Sequence, residues 1–363
     1  MTEVIMMNTF FKKNIRMYRR KIFLFISIIG VILGGSFIFY FYQVFFWSNT
    51  AFENDSSYLF IDHDDSIDSL SINLSPLLKS VDLFRIAAEK KGYASRLRSG
   101  KFKLLRGMNN NEIINELRGN PLPVKVTFNN QERIENLAGR IAEQIEPDSL
   151  SLLETFLDTE FLYEKGFTKE TALCLYLPNT YDLYWQSSGE DFRAKIWDFY
   201  QQFWNEERRS KAKSLKLTPI QVSILASIVV KESVKKEEQP IIAGVYLNRL
   251  NNGMKLQADP TVIYTIKESM GDFDYTVKRV LYRDLELDSP YNTYKVKGLP
   301  PGPIAMPDLS SIDAVLNAEE HNFLYFVAAP EKPGYHLFAS SLMEHNQNKL
   351  MYTQWLNQQK IFR

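Results

Sequence analysis

Cysteine and histidine are scarce in this chain, and neither sign of charge is in excess. Its 363 residues include one cysteine, Cys174, which excludes an internal disulfide framework and any site held by several cysteines. The four histidines show no HExxH or comparable spacing, so we expect no metal and no cofactor. The 43 Lys and Arg residues balance the 43 Asp and Glu residues. Repeats and low-complexity tracts are also missing, while 45% hydrophobic and 24% charged residues are typical of a folded protein.

The charges are distributed unevenly along the chain. Residues 1–21 carry six basic groups and one acidic group, or +5, and the remainder carries 37 basic and 42 acidic groups, or −5. Residues 22–46 contain no Asp, Glu, Lys, Arg or His, and such a run is long enough to cross a hydrocarbon core of about 30 Å. A cleaved signal peptide is the alternative. Its apolar core would have about 7–15 residues, and the aromatic end FYFYQVFFW is a poor cleavage site.

This pattern predicts a single-pass helix in the inner (plasma) membrane. Since basic flanks stay in the cytoplasm, the N-terminal arm should be cytoplasmic and the body extracytoplasmic or periplasmic. The mildly acidic body disfavours nucleic acid as a partner. Residues 47–57 are polar and are typical of a linker between membrane and body.

Outside the membrane, the patterns predict a small α+β module followed by a larger domain. Strands are expected at 58–61, 100–104 and 123–128, and amphipathic helices at 66–74, 83–91 and 109–117. These elements place a first module at residues 58–128. From residue 129 the pattern is mostly helical through residue 216, and the charged run at 206–213 is typical of a solvated helix face.

A helix that begins after Thr218 carries the main candidate for chemistry. Thr218 followed by Pro219 is an N-cap signal, and apolar residues at helical spacing lead from there to Glu232. A carboxyl on the apolar face of a helix loses solvation, which raises its pKa and suits a general acid. The alternative is a helix-end glutamate that turns to water or pairs with Lys235 or Lys236.

The following loops are rich in proline, glycine and hydrogen-bonding side chains. They are residues 256–261 (LQADPT), 289–294 (SPYNTY) and 298–303 (GLPPGP). Rigid loops that carry amides, hydroxyls and aromatic rings suit an uncharged ligand rich in hydroxyls, such as a glycan. Structural turns are the alternative that spacing leaves open.

These motifs together resemble the endolytic murein transglycosylases of the YceG-like family. The resemblance spans roughly residues 58–355. It is carried by 177–181 (LPNTY), 224–233 (ILASIVVKES), 245–250 (VYLNRL), 253–264 (GMKLQADPTVIY), 289–294, 298–304 (GLPPGPI), 323–327 (FLYFV) and 336–338 (HLF).

The resemblance implies an α+β fold: an N-terminal transmembrane helix, a small LysM-like βα subdomain at 58–128 and a mixed α/β catalytic domain at 129–363. It implies that one glutamate, Glu232, acts as acid and then base. The motif positions that it implies for substrate binding are Gln257, Asp259, Thr261, Tyr291, Asn292 and Thr293. Peptidoglycan strands would be the substrate, and cell-wall synthesis enzymes are candidate partners.

The sequence departs from the family pattern at three places. Val230 stands where the family has a first glutamate, Asn179 replaces an aspartate, and residues 129–131 (NNQ) replace Pro-Glu-Gly. The first departure leaves Glu232 as the acid of this segment. The resemblance therefore predicts a lytic transglycosylase that leaves 1,6-anhydromuramic ends. The rival hypothesis is a membrane-tethered glycan-binding or scaffold protein without catalysis.

Overall fold

The N-terminal segment forms one long helix. The computed structural model describes residues 2–277 and 279–359, and the surroundings of side chains from residue 17 onward. Helix α1 (Thr2–Phe46) includes a candidate membrane span of 30 residues, Met17–Phe46, within which a segment of 18 residues has a mean hydropathy of 2.6. At 1.5 Å per residue the span is about 45 Å long, enough to cross a hydrocarbon core of about 30 Å.

The chain divides into two compact units, and the first extends to Pro123 with residues 184–186 added. After α1 it contains β1 (Ser56–Ile61), α2 (Ile67–Leu74), α3 (Val81–Lys90), β2 (Gly100–Leu105) and α4 (Asn110–Arg118). Strands β1 and β2 pair antiparallel with Leu59 opposite Phe102. Alternation along the strands buries these two side chains together against the helices and leaves the other sheet face outward.

The predicted linker is built into this first unit. Val44, in the last turn of α1, is buried in its core, and the side-chain amide of Asn110 donates to the Val44 carbonyl at 2.7 Å. Asn49 is also buried, and its Nδ2 donates to Asn110 Oδ1 at 2.7 Å. The polar side chains of Asn49 and Thr50 therefore form buried hydrogen bonds within the segment predicted as a linker, residues 47–57.

The second unit comprises residues 124–183 and 187–363 and is formed mainly by helices. Its elements are β3 (Pro123–Phe128), α5 (Ile134–Ala142), α6 (Ser149–Phe156), α7 (Thr159–Glu164), β4 (Asn179–Tyr184), α8 (Gly189–Phe203), α9 (Glu206–Ser214), α10 (Pro219–Glu232), α11 (Gln239–Asn251), α12 (Asp259–Met270), α13 (Leu309–Leu316), β5 (Tyr325–Ala328), β6 (His336–Ala339) and α14 (Leu342–Gln358). Helices and strands in both units agree with the predicted α+β class.

The position of β3 differs from the predicted module boundary at residue 128. Strand β3 pairs with β4, a strand that lies inside the region predicted as mostly helical. Phe128 stacks on Tyr181 with ring centroids 5.6 Å apart, so both strands join the core of the second unit. The first unit accordingly ends near Pro123.

Three packed helices, α10, α11 and α13, form the centre of the second unit and position the end of α10. Thr218 and Gln221 form a capping box at the start of α10, as the N-cap signal predicts. Residues 222–229 are all buried, so the helix is fixed on every side up to its last turn. Cys174 is likewise buried, and burial raises the pKa of its thiol.

The C-terminal helix α14 packs on the hairpin of β5 and β6. Among the described residues of α14, none is fully buried. Helix α14 therefore covers the hairpin from outside and does not belong to the core.

Candidate active site

Glu232 is the last residue of α10, and its carboxyl faces the neighbouring helix α11. The hydroxyl of Tyr246 on α11 donates to Glu232 Oε1 at 2.6 Å. Burial raises the pKa of Glu232 to about 7, and the negative charge of Asp259 acts in the same direction. The hydrogen bond from Tyr246 and the charge of Arg249 oppose the rise without cancelling it. The carboxyl is thus protonated in about half of the molecules near neutral pH.

The alternative position for Glu232, paired with a nearby lysine, does not occur. Lys235 lies with its Nζ 5.2 Å from the ring centroid of Tyr335, and Lys231 pairs with Glu132 at 2.6 Å. In the part of the chain that the structure describes, no lysine forms an ion pair with Glu232. The apolar stripe of α10 therefore predicted the side on which this carboxyl lies.

Glu232 opens into a cavity of about 350 Å³ formed by α10, α11, the loop before α12, the β5 strand and the start of α14. Its lining combines carboxyls, an amide, a guanidinium, an imidazole and three phenols. The lining residues are Glu232, Tyr246, Arg249, Leu256, Gln257, Asp259, Tyr294, Tyr325, Phe326, Leu342 and His345. Such a concave surface with a few directional polar groups is typical of a small-molecule or polymer-binding site.

Two of the six residues predicted to bind substrate, Gln257 and Asp259, lie on the cavity wall. Gln257 has a left-handed backbone with φ 53°, and its Oε1 accepts from Arg249 Nη1 at 3.3 Å. Asp259 begins α12, and its Oδ1 accepts from the hydroxyl of Tyr294 at 2.6 Å. Gln257 thus combines a strained backbone with a place on the cavity wall, a combination that is frequent in functional sites.

The other four residues predicted to bind substrate lie behind the wall of the cavity. Thr261 and Thr293 are fully buried and bond to each other, Oγ1 to Oγ1, at 2.8 Å. Asn292 is also buried, and its amide donates to the carbonyl of Leu287 at 2.7 Å. These three side chains hold the two loops that carry Gln257 and Tyr294.

Tyr291, the fourth, is nearly buried. Its ring packs against Tyr264, with centroids 4.6 Å apart. In the described structure none of the four lines the cavity.

Sequence reasoning did not select Tyr246 or Arg249, although both belong to the VYLNRL segment. They are three residues apart on α11, so they share a face of that helix. Arg249 is buried, and it donates to the carbonyl of Leu324 at 2.6 Å and to that of Leu256 at 2.7 Å. It therefore ties the hairpin to the loop before α12. A buried arginine of this kind gives no signal in spacing, because its partners are backbone carbonyls, which residues of every type carry.

His336 is held by a carboxylate, as expected for a structural histidine. Its Nδ1 lies 2.9 Å from Glu238 Oε2, and its backbone N–H donates to the other oxygen of Glu238 at 2.9 Å. Among the described residues, no group of three or more His, Cys, Asp or Glu side chains could hold a metal ion.

Comparison with known proteins identifies the group to which this arrangement belongs. The model of the YceG-like family matches residues 59–350. The chain belongs to the YceG-like family. The family resemblance predicted from the sequence is thereby confirmed.

Two relatives of this YceG-like chain share the name endolytic murein transglycosylase. A Bacillus subtilis (strain 168) protein named endolytic murein transglycosylase is 30% identical over 293 residues, which cover 76% of this chain and 78% of the relative. A Streptococcus pneumoniae serotype 2 (strain D39 / NCTC 7466) protein of the same name is 37% identical over 139 residues, 38% of this chain and 25% of the relative. The crystal structure of a putative yceG-like protein from Listeria monocytogenes superposes with a TM-score of 0.53 at 28% identity and covers 81% of this chain and 98% of that one.

The three departures from the YceG-like pattern lie away from the cavity. Val230 precedes Glu232 by two residues and therefore points to a different side of α10. Asn179 begins β4, where its Oδ1 accepts from the Thr180 N–H at 2.8 Å. Residues 129–131 are tied to the loop at Met306, whose N–H donates to the Gln131 carbonyl. None of these described residues lines the cavity around Glu232.

Proposed function

We propose that this chain is a membrane-anchored peptidoglycan lytic transglycosylase that cleaves glycan strands internally between N-acetylmuramic acid and N-acetylglucosamine. The enzyme class agrees with the name of its relatives, endolytic murein transglycosylase. The observation that carries the assignment of Glu232 is its position: a desolvated carboxyl with a pKa of about 7, held by one phenol and open to a cavity lined with hydrogen-bonding groups.

The proposed reaction uses Glu232 twice. The protonated carboxyl gives its proton to the glycosidic oxygen as the bond between that oxygen and C1 of the muramic residue breaks. The carboxylate so formed then accepts the proton of the muramic 6-hydroxyl, whose oxygen attacks C1. The product is a 1,6-anhydro end, and Glu232 is again protonated. A pKa near the working pH suits both halves of this cycle.

Intramolecular attack removes the need for a second carboxylate. Ordinary glycosidases use a pair, one of which activates water or forms a covalent intermediate. Here the 6-hydroxyl belongs to the bound sugar, and it is held near C1 at a high effective concentration. We assign to Gln257 and Asp259 the binding of sugar hydroxyl or amide groups, and to Thr261, Tyr291, Asn292 and Thr293 the positioning of the loops.

One observation favours a second candidate chemistry, hydrolysis. Asp259 lines the same cavity as Glu232, so two carboxyls face the space where a sugar would lie. A hydrolase with this pair would use Asp259 to activate water. However, Asp259 Oδ1 already accepts a hydrogen bond of 2.6 Å from the hydroxyl of Tyr294, where a hydrolase would hold its water, so we favour the transglycosylase.

Product analysis tests the proposal and separates the two chemistries. The full chain in detergent is incubated with uncrosslinked glycan strands, and the new ends are identified by mass. We expect 1,6-anhydro ends, and a loss of about 10²–10⁴-fold in rate for Glu232→Gln because the acid is removed. Glu320→Gln, a change at an exposed carboxyl, serves as the matched control. New reducing ends would show that the chain hydrolyses the glycosidic bond. Full activity of the Glu232→Gln variant would show that Glu232 is not the acid.

For the rest of the chain we propose the arrangement predicted from its charges. Helix α1 spans the inner (plasma) membrane once, with the N-terminal arm in the cytoplasm and the chain that follows α1 on the extracytoplasmic side. This topology rests on the basic residues that precede the uncharged run at residues 22–46 and on the length of that run, 25 residues. Anchoring keeps the enzyme near newly made strands, where cell-wall synthesis enzymes are candidate partners.

We further propose that the first unit is the LysM-like module and binds glycan. The outward face of β1 presents Tyr58 and Phe60, and the ring of Trp185 packs on Phe60 with centroids 4.6 Å apart. Lys101 lies with its Nζ 4.2 Å from the centroid of Tyr58. Aromatic rings beside a hydrogen-bond donor form a surface on which a sugar ring can stack.

A further inference from the structure

A second and larger cavity of the second unit has no role in the mechanism above. Its volume is about 630 Å³, within the range of about 300–1,000 Å³ that is typical of ligand sites. It lies between the turn of the β5–β6 hairpin and the last turns of α14. Its wall includes Glu238, Tyr335, His336, Gln354 and Trp355.

One aromatic side chain, Phe326, contacts a wall residue of this cavity and a wall residue of the cavity around Glu232. The ring of Phe326, which lines the Glu232 cavity, is 5.9 Å from the ring of Tyr246 and 5.2 Å from that of His336, measured between centroids. His336 in turn lines the second cavity. A group that branches from a sugar bound at Glu232 therefore has a second site on the other side of one phenyl ring.

The wall of the second cavity is a preformed polar surface. Glu238 is buried, and both of its oxygens are used by His336, one by the ring Nδ1 and one by the backbone N–H. With Nδ1 donating to the carboxylate, Nε2 is the ring nitrogen left for a ligand. Gln354 and Gln358 add amide donors and acceptors, and Trp355 adds an apolar ring. Amides beside an aromatic ring suit the backbone of a short peptide.

The rim of this cavity carries charges of both signs. Glu331 and Lys332 are exposed in the hairpin turn, and neither forms an ion pair with another described residue. Lys332 lies with its Nζ 3.7 Å from the ring centroid of Tyr335. A glycan chain offers few charges to such a rim. A short peptide with carboxylates and an amine matches both signs.

We propose that this second cavity binds the stem peptide that branches from the muramic residue of the strand held at Glu232. This inference rests on the proposed function, since it takes a peptide-bearing glycan strand as the substrate. The cavity then selects peptide-bearing strands, and Glu331, Lys332 and Trp355 determine that selectivity without taking part in the bond cleavage.

Two substrates and two variants test the proposal. The full chain in detergent is given uncrosslinked strands with their stem peptides, and the same strands after an amidase has removed the peptides. The decisive variant is the rim double change Glu331→Gln with Lys332→Gln, whose exposed side chains do not hold the fold. We expect it to lower kcat/KM about tenfold on peptide-bearing strands and to leave kcat/KM on bare strands unchanged. Trp355→Ala is expected to show the same selectivity.

The outcomes separate failure of the peptide proposal from failure of the proposed function. Tyr163→Ala, at a highly exposed tyrosine outside both cavities, should change neither rate. If the wild-type chain cleaves neither substrate, the proposed function itself fails. If the wild-type chain cleaves both and the rim variant slows both equally, the cavity binds glycan and the peptide proposal is overturned. It is also overturned if the rim variant slows neither.

Discussion

At the scale of single residues, opposing effects on the pKa of Glu232 determine whether its carboxyl is protonated. Burial favours the neutral acid most strongly, and the hydrogen bond from Tyr246 is the next influence and favours the carboxylate. Tyr246 thus does more than hold one oxygen in place. It lowers the pKa of Glu232, which helps the carboxyl to give up its proton in the proposed reaction.

This balance predicts the effect of Tyr246→Phe. The change removes a hydrogen bond to the charged form, so the pKa of Glu232 should rise from about 7, by about one to two units, since such bonds contribute about 1.5–3 kcal/mol. In the wild type, kcat/KM should fall about tenfold per pH unit above about pH 7, as the acid loses its proton. In the variant this alkaline limb should move to higher pH, and kcat should fall because a carboxyl with a higher pKa gives up its proton less readily.

The pH profile of kcat/KM between pH 5 and 10 measures the shift. Tyr325→Phe is the control, since Tyr325 lines the same cavity without a hydrogen bond to Glu232. An alkaline limb that stays at the wild-type pH would show that Tyr246 does not act through this carboxyl.

The same carboxyl should also weaken the fold. An acid whose pKa is raised from 4.5 to about 7 on folding binds its proton more tightly in the folded state. Its contribution to the free energy of unfolding is therefore lost as pH rises from about 4.5 to about 7. Glu232→Gln keeps the acceptor for Tyr246 and cannot ionise. We expect this variant to be more stable than the wild type at pH 8, by about 1–3 kcal/mol, and equally stable at pH 4.

Thermal unfolding of both chains at pH 4 and pH 8 checks this second expectation. A wild-type Tm that equals that of Glu232→Gln at both pH values would mean that the carboxyl is not desolvated. The test is independent of substrate, so it examines the site even when no activity is measured.

Single residues also show which features of the site could be predicted from the sequence. The apolar spacing of α10 predicted which side of the helix Glu232 occupies, because that spacing depends only on neighbours within four residues. Tyr246 and Arg249 act on Glu232 across two helices, and no local pattern encodes such a contact. For the same reason, the loop motifs did not separate Gln257 on the wall from Thr261 behind it.

At the scale of elements, sequence signals were accurate where they were local. Asn109 and Gly119 bound α4 as N-cap and C-cap, and β3 has the bounds 123–128 that its alternation predicts. Strand β4 was missed, although its side chains alternate between exposed and buried from Thr180 onward. Its six residues follow Pro178, and the pairing partner β3 lies about 50 residues earlier, so only tertiary contact distinguishes this strand from its helical surroundings.

The outward face of β1 provides an element-scale prediction. If Tyr58 and Phe60 form the sugar-stacking surface of the first unit, the double change Tyr58→Ala with Phe60→Ala should weaken binding of glycan strands about tenfold, or about 1.4 kcal/mol. To separate binding from turnover, both changes are made in the Glu232→Gln chain, and binding is measured by co-sedimentation with strands. Tyr163→Ala is again the control. Undiminished binding by the double variant would contradict the assignment of this face.

At the scale of the whole molecule, the zero net charge is the sum of opposite net charges on two parts of the chain. A basic arm of +5 and a body of −5 lie on either side of the uncharged stretch at residues 22–46. The end of that stretch is continuous with the first unit, where Val44 and Asn49 are buried. Any truncation made to obtain a soluble enzyme should therefore begin before Val44, because a start at residue 48 removes part of the core of the first unit.

The proposed topology can be tested in cells with the native cysteine left in place. Cys174 is buried, so it should give no background with a membrane-impermeant maleimide. Tyr163→Cys, at a position 87% exposed in the second unit, should be labelled in intact cells. Lys12→Cys, in the basic arm, should be labelled only after the membrane is permeabilised, because the arm is held in the cytoplasm by its positive charge. Labelling of Lys12→Cys in intact cells, with protection of Tyr163→Cys, would reverse the orientation and place the Glu232 cavity on the side without peptidoglycan.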